Sequence, residues 1–115
     1  MIQPGDIYLA DFPQVGRHPV IVVSREALNR GSYALVVVCT SARFDLRRTL
    51  PNCVAFQSGH YGLTKDCVAQ CENLLSIEQT QIDLVSGPIG VLDDRRMREV
   101  IRAIGYVIEA DCEPV

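Results

Sequence analysis

Gly16-Arg17-His18-Pro19-Val20-Ile21-Val22-Val23-Ser24 is the stretch on which the fold turns. Proline pushes the preceding residue toward extended geometry and cannot donate to a ladder, so Pro19 predicts a strand start. The nearly continuous apolar run Val20–Ser24 then predicts a strand covered on both faces. A second run, within Tyr33–Ser41, is the longest β-branched stretch of the chain and predicts the central strand. It ends in the hydroxyl pair Thr40-Ser41. A rigid sheet would thus deliver Arg17 and His18 at one strand's entrance and Thr40 and Ser41 at another's exit. An anion between them would meet a guanidinium, an imidazole and hydroxyl donors, a set suited to phosphate chemistry.

Outward from this pair, Ile7–Phe12 predicts a short strand, opened by Gly5-Asp6 and closed by Pro13. Arg25–Ser32 reads as a connection with one helical turn. Ala42–Pro51, polar and arginine-rich, predicts an exposed mobile loop. Short strands are expected at Cys53–Phe56 and around Cys67–Cys71, with a turn region at Ser58-Gly59 and Gly62, and Ser86-Gly87-Pro88 is a breaker. The last element is a helix: Asp93 can cap it, and Met97, Val100, Ile101, Ile104 and Ile108 fall on one face. A lone amphipathic helix needs a sheet to cover. The expected fold is mainly β, a small bent sheet or barrel of five or six strands with a C-terminal α-helix, in one domain over residues 1–115.

Composition narrows the function. Hydrophobic residues at 48% and charged residues at 22% exclude wholesale disorder. No apolar run approaches a membrane span and no signal sequence opens the chain, so a soluble, cytoplasmic protein without membrane contact is expected. The five cysteines are odd in number and form no C-x-x-C, which predicts reduced thiols and neither disulfides nor a metal site. Net charge is −3, but residues 1–65 carry +3 and residues 66–115 carry −6. That asymmetry allows a basic groove on an acidic molecule. Arg43, Arg47 and Arg48, next to Thr40-Ser41, are the candidate contacts for a polyanion. Arg95, Arg96 and Arg98 read as solvated.

Four ordered motifs then carry a family resemblance. Gly5-Asp6-Ile7-Tyr8 with Asp11-Phe12, Pro19–Ser24, Val38-Cys39-Thr40-Ser41, and Gly62–Ala69 resemble the MazF/PemK toxins, endoribonucleases of toxin–antitoxin systems. The helix after Leu92-Asp93 matches in position, so the resemblance spans nearly the whole chain. It implies a small SH3-like barrel (the CcdB/PemK-like fold) and a homodimer whose groove takes single-stranded RNA. It further implies a cognate antitoxin, and cleavage without metal or cofactor to 2′,3′-cyclic phosphate and 5′-hydroxyl ends. In the family, an arginine directly before the strand's proline and the threonine at the next strand's end form the centre. Thr40 matches the threonine. The family's R-P is here Arg17-His18-Pro19, which puts His18 in the arginine's register and Arg17 on the opposite face.

The resemblance implies Thr40 as a donor to the phosphate or a positioning group. Two readings of the altered motif stand: His18 is itself the acid or base, or a local bulge restores Arg17 to the phosphate and leaves His18 structural. The expectation is that both contribute, Arg17 as phosphate clamp and His18 as acid–base. Ser41 and Arg43 become further RNA contacts beside Arg47 and Arg48. His60 reads as a turn histidine, and Asp66 as a turn cap or ion-pair partner. Only Pro13-Gln14-Val15 precedes Gly16, so the family's longer first loop and its glutamate are missing, which opens the groove. Two other functions fit the same barrel. One is a non-cleaving barrel that binds RNA or antitoxin. The other is a CcdB-like gyrase inhibitor, against which stand the lack of tryptophan and the ending Asp111-Cys112-Glu113-Pro114-Val115.

Overall fold

Val20, Ile21 and Val22 are fully buried in strand β2 (Gly16–Val22), which lies between β1 (Asp6–Phe12) and β3 (Tyr33–Thr40). In this computed structural model, which describes residues 1–110, they belong to a six-stranded antiparallel sheet. The remaining strands are β4 (Cys53–Phe56), β5 (Cys67–Glu78) and β6 (Gly90–Val91), in the order β4-β5-β3-β2-β1-β6. Helix α1 (Phe44–Arg47) follows β3, and α2 (Asp94–Val107) closes the described chain. The sheet curls into a half-barrel, and the expected mainly β architecture with one long C-terminal helix is the observed one. Cys112 and the rest of residues 111–115 lie outside the described residues.

Alternation sorts the core onto the two faces. Ile7, Ile21, Val37 and Cys39 face α2 with Ala69, Cys71 and Val100. Tyr8, Val20, Val36 and Val38 point the other way, against Ile2, Ile77 and Ile82. A strand sandwiched between two apolar layers needs no polar face, which is why β2 and β3 are almost uniformly aliphatic.

Several boundaries differ from the sequence expectation. Pro19 does not start β2. It pairs with Leu9 in mid-strand, one residue before the β2–β3 ladder begins at Val20, an edge position that tolerates a missing N–H. The strand ends at Val22, and Ser24 turns into a buried polar knot instead. Its hydroxyl donates to Asn29 Oδ1 and accepts from Leu35 N at 3.0 Å, while Asn29 Nδ2 donates to the Ser24 and Ile2 carbonyls. The 42–51 segment is largely exposed, as expected, but carries the single turn of α1.

The α2 face also shifts. Val100 and Ala103 are buried and Met97 and Ile104 pack beside them, whereas Ile101 and Ile108 point to solvent. Arg96 is not a solvated arginine. Its guanidinium stacks 4.4 Å from the Phe56 ring centroid, donates to both Glu99 oxygens and to the Ala55 carbonyl, and so caps β4 from the helix. No helix among the described residues is long and apolar enough to cross a membrane.

Candidate active site

Strand β5 runs twelve residues, longer than expected, because it changes register against β3. Val38 faces Gln70 while Val37 faces Leu74, so Cys71, Glu72 and Asn73 have no opposite number on β3. A bulge of this kind bends the strand and re-aims its side chains. Here it turns Gln70 and Asn73 into a pocket of about 230 Å³ shared with Phe12, His18, Val38, Thr40 and Leu75. Even-numbered positions of β2 and β3 meet there, on the face away from α2.

The odd-numbered positions open elsewhere. A pocket of about 360 Å³ is lined by Arg17, His18, Pro19, Cys39 and Ser41, with Leu63, Thr64, Lys65 and Cys67 across from them. His18 lines both pockets. Its Nδ1 lies 3.3 Å from the Cys39 carbonyl oxygen and its Nε2 3.1 Å from that of Val15. A protonated ring can donate to both carbonyls, a neutral ring to one. Val15 sits in the exposed β1–β2 turn, so release of its carbonyl would free Nε2 toward solvent.

Thr40 is the strand-end hydroxyl. Its Oγ1 accepts from Ala42 N at 3.2 Å, which leaves the hydroxyl proton free to donate into the pocket. Arg17 is exposed and tied down by carboxylates: Nε and Nη2 donate to Asp11 at 3.0 and 3.2 Å, and Nη1 to Asp83 at 3.4 Å. The Asp11 bonds favour the charged guanidinium further. Asp83 is held below the usual carboxylate range, chiefly by the Ser86 N–H and then by Arg17. Thiols line the second pocket as well. The hydrogen bond to Cys67, then burial, push the Cys39 thiol well up, and the same bond lowers that of Cys67. Among the described residues, no group of three or more His, Cys, Asp or Glu could hold a metal ion.

Residues 3–108 match the model of the PemK-like, MazF-like toxins of type II toxin–antitoxin systems. The chain belongs to that family. Among curated relatives it is 27% identical to "Endoribonuclease MazF" of Staphylococcus saprophyticus over 110 residues, covering 90% of this chain and 88% of that protein. Solved structures share the fold. An endoribonuclease in complex with its cognate antitoxin, from a mycobacterial species, superposes with a TM-score of 0.79 at 22% identity, covering 99% of this chain and 100% of that one. The Mycobacterium tuberculosis toxin MazF-mt6 superposes at 0.77, also at 22% identity, over 93% and 99%. A MazE–MazF structure from Deinococcus radiodurans superposes at 0.71 and 17% identity, over 93% and 94%.

Within this MazF-like toxin, the structure brings His18 and Thr40 together, and Arg17, His18 and Ser41 together. Arg43, Arg47 and Arg48 line neither pocket. Arg47 Nη1 donates to the Ala42 carbonyl at 3.2 Å, and Arg48 lies over the Phe44 ring at 5.9 Å. Asp66 caps the turn, accepting from Ser58 N at 2.8 Å. Sequence reasoning missed Gln70 and Asn73 because the bulge aims them. The one available signal was a lone amide, Gln70, between the buried residues Ala69 and Cys71. Thr64 and Lys65 are visible as family motif residues, but nothing in the sequence gives them a role.

Proposed function

We propose that this toxin is an endoribonuclease that cuts single-stranded RNA by attack of a 2′-hydroxyl on the adjacent phosphorus. The new bond joins phosphorus to O2′, the bond to the 5′-oxygen breaks, and the ends are a 2′,3′-cyclic phosphate and a 5′-hydroxyl. Such a step needs proton transfer at the two oxygens and charge stabilisation on the phosphoryl group. His18 moves the proton, Thr40 donates to a phosphoryl oxygen, and the Gln70 amide is a second donor beside it. Arg17, with Ser41 and Lys65, holds the phosphate on the other side of the imidazole. The reaction draws on no metal or cofactor. The RNA path is completed by Arg43, Arg47 and Arg48 and by a second copy of the chain in a homodimer. A cognate antitoxin segment would fill the same groove in the cytoplasm, its acidic groups pairing with Arg17 and Arg43.

The observation that carries this reading is the position of His18, one ring bordering the Thr40 pocket and the Arg17–Ser41 pocket at once. The test is incubation of the protein, with chelator present, with a long mixed-sequence RNA, beside Thr40→Ala. Cuts ending in 2′,3′-cyclic phosphate that vanish in the variant support it. A second reading, a barrel that binds RNA or antitoxin without cutting, is favoured by one observation: Arg17 is already satisfied by Asp11 and Asp83. A folded protein that binds several long RNAs and leaves them intact would establish that reading.

A further inference from the structure

Outside the groove, three of the seven aromatic side chains (three Phe, four Tyr) converge on one pocket of about 340 Å³. It is lined by Phe44 and Arg48 from the α1 region, Phe56 at the end of β4, His60 and Tyr61 from the turn after it, and Arg95 and Arg96 from α2. Among the described residues, no acidic side chain lines it. The nearby acids are engaged: Asp93 accepts from Tyr61 at 2.9 Å and from Arg96 N at 2.9 Å, and Glu99 pairs with Arg96 and Arg95. Two guanidinium groups are stacked on rings, Arg48 over Phe44 and Arg96 over Phe56. Arg96 spends its donors on Glu99 and Ala55. Among the described residues, by contrast, Arg48 has no acidic partner and the exposed His60 ring makes no hydrogen bond.

We infer that this aromatic and arginine-lined pocket binds a nucleotide, its base against Phe44 and Tyr61 and its phosphate on Arg48 and His60. Stacking surfaces together with unpaired cations are what a base and a phosphate require jointly, whereas an acidic peptide would use the cations and leave the rings idle. The pocket is also placed for a strand leaving the site described above. Thr40 and Phe44 are four residues apart, so their Cα atoms are within about 14 Å, and the chain between them carries Arg43. The inference deepens the ribonuclease reading and rests on it for the source of the nucleotide.

Chemical-shift mapping separates the two questions, because it needs binding and not cleavage. The full-length protein is titrated with AMP and, separately, with a twelve-nucleotide 2′-O-methyl RNA that cannot react. Expected are shifts at Phe44, His60 and Tyr61 with the oligonucleotide, and about a tenfold loss of its affinity in Arg48→Gln, corresponding to one lost base or phosphate contact. Shifts with AMP alone would assign the pocket to a free nucleotide and still support it. Shifts confined to His18, Thr40 and Gln70 would overturn it, as would a pocket that answers only to an acidic peptide. Failure of the toxin to cut RNA, with the pocket shifts intact, would sink the cleavage reading and leave the nucleotide site standing.

Discussion

Arg17 grips Asp11 with two donors, Nε at 3.0 Å and Nη2 at 3.2 Å, from the next strand at the paired register position. A guanidinium held this way is oriented but not free, so its use on RNA requires exchange of a carboxylate for a phosphate. Asp11→Asn weakens that competition. The expected outcome is a roughly three- to tenfold tighter binding of an uncleavable RNA, with Arg17→Ala cancelling the gain in the double variant. Additive effects of the two substitutions would show that Asp11 does not act through Arg17, and unchanged binding in Arg17→Ala would show that Arg17 does not touch the RNA.

His18 and Thr40 carry a sharper expectation, because they share the pocket shaped by the β5 bulge. His18→Ala should lower the single-turnover cleavage rate by about 10²- to 10⁴-fold, the usual span for a positioned acid or base. Thr40→Ser should keep most of the rate and Thr40→Val lose it, since the hydroxyl and not the methyl is what donates. Gln70→Leu tests the residue that the sequence did not reveal. A drop of about tenfold in rate, with unchanged melting temperature, is expected for one lost phosphoryl donor.

Most of this site is legible in the sequence wherever neighbouring residues fix facing. Alternation along β2 predicts Arg17 and His18 on opposite faces; in the structure both line the Arg17–Ser41 pocket, and of the two His18 alone also reaches the Thr40 pocket. What is not legible depends on register between distant strands. Nothing local to Gln70 or Asn73 encodes that β5 slips between Val37 and Val38 of β3. The same limit hides the role of Arg96, whose partners Phe56 and Ala55 lie some forty residues away in the chain. Pro19 misleads for a different reason. Its missing N–H marks where a strand lacks a second neighbour, which need not be where the strand begins.

Arg96→Ala should therefore behave as a packing substitution. It removes a cation–π stack, the Glu99 pair and the cap on the Ala55 carbonyl, with only 16% of the side chain exposed. A loss of about 2–3 kcal/mol in denaturant unfolding is expected. Arg98→Ala, on the exposed side of the same helix, should stay within about 0.5 kcal/mol. Equal effects would mean that the Phe56 stack contributes nothing.

Gly62 and Gly90 mark where the turn after β4 passes against β6. Gly62 has φ +75°, and a Cβ there would overlap the Ile89 carbonyl, while one at Gly90 would overlap that of Tyr61. Backbone cannot retreat as a side-chain tip can. Alanine at either position should cost more than about 3 kcal/mol or abolish soluble expression, whereas Gly59→Ala, with open space around its Cβ, should cost less than either.

Burial makes Cys71 a probe of the sheet–helix interface. Its thiol lies 3.9 Å from the Ala69 carbonyl and 3.8 Å from that of Val100, and desolvation pushes it up to about 12 from 9.0. Above pH 9 the unfolded chain sheds this proton and the folded protein keeps it, so the unfolded state binds fewer protons. Stability contributed by the neutral thiol is complete below pH 9 and declines as pH rises toward 12. Denaturant midpoints measured from about pH 8 to 10.5 should fall, and fall less in Cys71→Ala. Iodoacetamide at about pH 8 should leave Cys71 unmodified in the folded protein and label it after unfolding, as read by peptide mass spectrometry. Labelling at equal rates in both states would mean that α2 does not seal this face.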